Sequence, residues 1–221
     1  MRLLMRCIVL ACFSALGLFA QTALSQSDAP TSEAKKSDDD KSDDDKSIAA
    51  FTKDMQHLPG FVAMHVDRRT DRIYFELSTF GQELLYATAH ASGLGSNLIG
   101  LDRGSLGPQH VIEFRRAGKK VLVMAKNFRF RALSENPRER LAVAESFAPS
   151  VIASLPVKAA TGEAVIVDAT DFVVRDATNA AGRLGGGKAN YKVDKTRSAL
   201  WLERTKAFPD NSEVEVLLTF T

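Results

Sequence analysis

The sequence predicts a mainly β fold: a β-rich α+β protein built on an antiparallel, twisted or partly rolled sheet with one or two short helices. Three observations predict it. From Gly60 onward the apolar residues recur with period two, the strand period. Successive strand-like runs are separated by turns rather than by helical crossovers, which favours antiparallel pairing. One stretch alone carries a full set of helix start and stop signals.

The elements follow in order. Residues 61–66 read as a strand, residues 67–71 as a turn, and residues 73–77 as the second arm of a hairpin. Residues 83–89 make a third strand, and a glycine-rich stretch runs from 93 to 108. Residues 111–115 and 121–124 flank Ala117-Gly118-Lys119 as another hairpin. Further runs lie at 165–167, 191–193, 199–203 and 214–218. Asn136 suits an N-cap, Pro137 the first turn and 138–146 a helix, with Pro149 closing it. A shorter helix is expected over 48–55, ahead of Leu58-Pro59-Gly60.

The start of the chain reads as an export signal, residues 1–25. Arg2 and Arg6 give a positive n-region, residues 7–20 are apolar, and Ala23-Leu24-Ser25 places small residues before Gln26. The apolar run falls short of the roughly 20 residues that span a bilayer as a helix, so no membrane span is expected after cleavage. The expected location is exported, periplasmic or extracellular. Both cysteines, Cys7 and Cys12, sit inside the signal, so the mature chain has no thiol for disulfides, nucleophiles or zinc. Residues 26–47 form a linker holding two Lys-Ser-Asp-Asp-Asp units. It has no apolar residue larger than Ala to offset its ordering entropy, and disorder is expected. Its acids come in triplets without a turn glycine, which does not fit a calcium loop.

The full chain carries +2; the signal holds +2 and the linker −4, leaving a mild +4 on residues 48–221. Those bases are interspersed with acids, as in Asp67-Arg68-Arg69-Thr70-Asp71-Arg72, and give no nucleic-acid stripe. The folded part divides into a small N-terminal β-hairpin region, 48–92, and a β-rich domain, 93–221.

Motif by motif, chemistry does not assemble. Gly182 to Ala189 has phosphate-loop spacing, but Ala189 stands where a magnesium-binding hydroxyl belongs and a strand, not a helix, is expected next. Gly93-Leu94-Gly95-Ser96-Asn97-Leu98 lacks the third glycine of a dinucleotide fingerprint. No nucleotide is expected. The histidines His57, His65, His90 and His110 form no His-Glu-x-x-His; His65 and Asp67 share a strand face but make a poor metal site without a third ligand. Asp168 and Asp171 are candidates for paired acid–base carboxylates, or for shaping a turn or capping a helical turn. No Gly-x-Ser-x-Gly elbow is present. The expectation is no catalytic, cofactor-binding or metal-ligating residue.

The order of several blocks resembles the N-terminal region of bacterial secreted zinc-dependent metalloproteases of the met-zincin type. The blocks are Leu58-Pro59-Gly60-Phe61, Gly93-Leu94-Gly95-Ser96-Asn97, Gly100-Leu101-Asp102-Arg103-Gly104, Val121-Leu122 with Asn127, Arg131-Ala132, and Glu145-Ser146-Phe147-Ala148. Val167-Asp168-Ala169-Thr170-Asp171-Phe172, Asp194-Lys195-Thr196-Arg197-Ser198 and Phe208-Pro209-Asp210-Asn211-Ser212-Glu213 complete the series. The resemblance implies two adjoining domains of unknown function, with the zinc helix several hundred residues later and outside this chain. It implies that the chain is a fragment truncated at its C-terminus, non-catalytic, with zinc belonging only to the missing domain. The expected partner is that downstream metalloprotease domain. The positions Gly95, Ser96, Asn97, Asp102, Arg103, Gly104, Asp168, Asp171, Arg197 and Ser198 carry over as family signature without an assigned role. A function from another class fits the same residues: a free-standing periplasmic module that holds a peptide or glycan in the 93–108 loop.

Overall fold

The structure, a computed structural model, describes residues 2–10, 47–93, 99–185 and 190–221. Most of the expected signal and linker lies outside the described residues. Twelve strands are described: β1 (Arg2–Leu10), β2 (Gln56–Leu58), β3 (Ala63–Asp67), β4 (Arg72–Leu77), β5 (Leu84–His90), β6 (Leu106–Ala117), β7 (Lys120–Ala125), β8 (Ser150–Thr161), β9 (Ala164–Asp168), β10 (Ala199–Leu200), β11 (Lys206–Ala207) and β12 (Asn211–Thr219). They form one sheet in the order β10-β12-β1-β5-β6-β7-β8-β9-β4-β3-β2, with β11 also on β12. Every pairing is antiparallel, and the sheet curls into a half-barrel. The mainly β, partly rolled antiparallel architecture is as the period-two pattern predicts.

β8 makes the curl. Its first half pairs with β7 and its second half with β9, with register shifts at Val123/Met124 and Val157/Ala159. Bulges bend a strand and increase its twist, so one strand serves two faces of the roll. The sequence reading missed β8 altogether. Pro156 interrupts its pattern, and Pro cannot donate to a ladder; here it falls where the strand changes partners.

The two arms of the roll meet across a shared core. Met64, Ile73 and Phe75 of one arm and Val214, Val216 and Leu218 of the other belong to a single buried cluster with Val121 and Val123. Strands on both sides of residue 93 therefore share one sheet and one core. Hydrogen bonds close the seam: Phe61 N–H donates to the Phe208 carbonyl at 2.8 Å, and Leu200 N–H donates to the Asp71 side-chain Oδ2 at 3.2 Å.

Four α-helices are described: α1 (Ile48–Thr52), α2 (Pro137–Ser146), α3 (Thr170–Val173) and α4 (Ala180–Leu184). α1 and the turn after it cover the second face of the sheet, where Ile48, Phe51 and Met55 pack on Tyr74, Ala159 and Ile166. α2 starts as the sequence predicts, with the Asn136 side chain accepting from Arg138 N–H at 3.0 Å. The expected strand at 191–193 reduces to one bridge, Val193 with Phe220, and the expected 199–203 strand stops at Leu200 because Trp201 turns the chain. Residues 2–10, read from sequence as part of an export signal, are a strand between β12 and β5. No described helix is long and apolar enough to cross a membrane.

Candidate functional site

The signature residues gather first in a polar cleft. The β3–β4 turn, the β9–α3 corner and a 3-10 turn, Lys195–Arg197, enclose about 240 Å³ lined by Asp71, Arg72, Asp171, Lys195 and Ser198 among others. Asp168, buried below, accepts from Arg72 Nη1 at 2.5 Å and from Thr170 N–H at 3.0 Å. The Asp168 carboxylate in turn raises the Arg72 guanidinium above its ordinary range. Asp171 accepts instead from Lys195 Nζ, at 2.6 Å. An acid–base pair needs two carboxyls aimed at one substrate. Here each carboxyl is held by its own cation, and Asp168 organises the corner that starts α3.

The Asp194-to-Ser198 block is an anchor. Asp194 accepts from the Thr196 hydroxyl at 2.6 Å, the Thr196 N–H at 2.9 Å and Arg197 Nε at 2.7 Å. The Thr196 hydroxyl foremost, then Arg197, hold its carboxyl down to about 2. Ser198 Oγ donates to the Asp194 carbonyl at 2.7 Å and accepts from Thr219 N–H at 3.0 Å. Thr219 Oγ1 donates to the Arg197 carbonyl at 2.6 Å. Arg197 and Ser198 thus tie this turn to β12, and the serine hydroxyl is already committed to backbone.

In the glycine-rich loop, Gly95, Ser96 and Asn97 lie outside the described residues. The rest is fastened at its base. Gly104, at φ 81°, donates to the His90 carbonyl at 2.8 Å, and His90 N–H donates to the Ser105 carbonyl at 3.0 Å. Arg183 of α4 donates to the Gly100 carbonyl at 2.7 Å. The buried His90 ring faces Thr178 Oγ1 at 2.8 Å; burial first, then Arg183, lowers its pKa. Asp102 and Arg103 are exposed. Of the phosphate-loop-like segment, residues 186–189 lie outside the described residues. α4 precedes them, and residues 190–192 are not helical. The His65 and Asp67 pairing dissolves as well, since Asp67 accepts from Arg69 N–H, Thr70 N–H and Thr70 Oγ1 in its own turn.

The feature the sequence reading missed is a groove between α2 and the segment 126–132 that follows β7. It encloses about 390 Å³ and is lined by Phe128, Phe130, Val143, Ala144 and Phe147, with Arg131 and Arg140 also on its walls. Phe130 and Phe147 stack with centroids 4.1 Å apart. Phe128 remains 50% exposed, and Leu133 and Leu141 nearby are 83% and 57% exposed. No α2 residue is buried. The signal was in the sequence, as large apolar residues at 128, 130 and 133 in a stretch that keeps neither strand nor helix period. At the groove's inner end, Glu113 sits 2.9 Å from Arg115 and 3.1 Å from Lys126.

Residues 104–221 match the family described as Domain of unknown function (DUF5117). The chain belongs to that family. No curated protein and no solved structure matches it. The DUF5117 span takes in β6 to β12, the groove, and Gly104, Asp168, Asp171, Arg197 and Ser198. The hairpin β3–β4 lies ahead of the span yet pairs through β4 with β9 inside it.

Proposed function

We propose that this DUF5117 chain is a non-catalytic scaffold of an exported, periplasmic or extracellular protein, and that it packs against a zinc-metalloprotease domain through the groove between α2 and residues 126–132. The observation that carries the reading is the groove: Phe128 and Phe130 on its wall contribute little to this domain's own core, as do the exposed Leu133 and Leu141 outside it, and apolar surface is retained where another surface covers it. Two blocks of the metalloprotease resemblance, Arg131-Ala132 and Glu145-Ser146-Phe147-Ala148, flank the same groove. Among the signature residues, Asp168, Asp171, Arg197 and Ser198 are engaged in turns and ion pairs, which suits a platform rather than a reaction centre.

The test mixes the purified chain with a separately expressed His-Glu-x-x-His metalloprotease domain. Saturable binding that is lost in the double variant Phe128→Asp, Phe130→Asp, at unchanged melting temperature, is the expected result. Equal binding by that variant would remove the docking claim. Zinc-dependent hydrolysis of casein by this chain alone would overturn the non-catalytic one.

A further inference from the structure

Two imidazoles and a carboxylate converge on the β2–β3–β4 edge of the sheet, on elements that line neither the groove nor the loop described above. His57 and His65 are register partners on β2 and β3, so strand pairing alone sets their rings side by side, 4.6 Å apart and 15° from parallel. Glu76 lies on β4, two residues from Tyr74, the register partner of His65. Residues two apart share a face, and a diagonal neighbour is within reach of a long side chain. Glu76 Oε2 sits 2.7 Å from His65 Nε2. One ligand atom from each of the three lies within 4.8 Å of the others.

The three differ in freedom. His65 is 5% exposed and fixed by its surroundings. Its Nδ1 is buried with no hydrogen-bond partner among the described residues, although buried imidazole nitrogens are as a rule satisfied. His57 is exposed and Glu76 half-buried, so both can change rotamer. Zinc ligands at about 2.0–2.2 Å from the ion stand roughly 3.4 Å apart in a tetrahedron. A tetrahedral site therefore asks the two more accessible side chains to rotate about a fixed His65. Two neutral imidazoles with one carboxylate suit Zn²⁺ or Cu²⁺, whereas Mg²⁺ and Ca²⁺ demand oxygen ligands.

We propose that His57, His65 and Glu76 form a divalent transition-metal site that staples the three-residue edge strand β2 to β3 and β4. The site goes beyond the scaffold reading and does not depend on it. Water completes the coordination on the exposed side.

The experiment titrates the full, tag-free chain with ZnCl₂ by calorimetry and with CoCl₂ by visible absorption, alongside MgCl₂. The expected result is one equivalent of zinc per chain, the d–d bands of tetrahedral cobalt, a raised melting temperature with zinc, and no response to magnesium. His57→Ala and Glu76→Gln, both on accessible side chains, are each expected to weaken zinc binding roughly tenfold or more while the metal-free melting temperature holds. Absence of saturable zinc binding, or binding that survives both substitutions undiminished, overturns the site.

Discussion

The Ser212 hydroxyl holds both backbone groups of Val62. It accepts from Val62 N–H at 3.0 Å and donates to the Val62 carbonyl at 2.8 Å, joining positions 150 residues apart. Ser212 is buried, and the pair is the point where the two arms of the roll lock. Replacing Ser212 with Ala leaves two buried backbone groups without a partner. The expected cost is about 1–3 kcal/mol of stability, read as a shift in the denaturant midpoint at constant slope.

Gly60 sits at the same seam. A Cβ built there would lie 2.9 Å from the backbone N and O of Phe208 and 2.5 Å from Ala207 Cβ. Gly60→Ala therefore forces the backbone around Phe208 to move, with an expected loss of about 1–3 kcal/mol. Adding Ala207→Gly relieves one of the three contacts. The double variant should recover part of the loss and not all of it, which thermal melting of the four proteins checks.

Acid sensitivity has two identifiable sources. Asp194 is held at about 2 against an ordinary 3.8, so its contribution is complete above the ordinary value and is lost as pH falls from there through about 2. His90 is lowered from 6.5, chiefly by burial. The unfolded chain then takes up that proton first, and stability drops as pH falls below about 6.5. His90→Gln should flatten the stability profile in the upper range and Asp194→Asn in the lower, measured by urea denaturation across pH.

Leu133 and Leu141, in the excursion between β7 and β8 that carries α2, are largely exposed and belong to neither buried cluster. Leu133→Ser and Leu141→Ser should each leave stability within about 0.5 kcal/mol. A larger loss in denaturant titration would mean that the excursion belongs to the domain's own core.

Local features were legible in the sequence, and non-local ones were not. The β3–β4 and β6–β7 hairpins and α2 follow from period, turn residues and caps that act within a few residues. β8 escaped because Pro156 and small residues break its pattern, and because its identity comes from paired neighbours on both sides. The Val62–Ser212 lock and the meeting of His57, His65 and Glu76 depend on strand register, which no single segment encodes. The Asp168–Arg72 pair is similar: the sequence offered Asp168 as an acid or a turn former, and only the β4–β9 pairing supplies its cation.

β1 runs antiparallel to both its neighbours, in register with β12 over Arg2–Leu10 and with β5 from Met5 to Leu10. β12 and β5 therefore point the same way. Cutting the chain behind Leu10 and releasing β1 would leave two rails of bare amide and carbonyl groups about 9–10 Å apart, room for a single extended peptide and nothing wider. Direction would be dictated by the rails, and length by the nine rungs on β12. Trimming this N-terminus would thus open one strand position in the middle of the sheet.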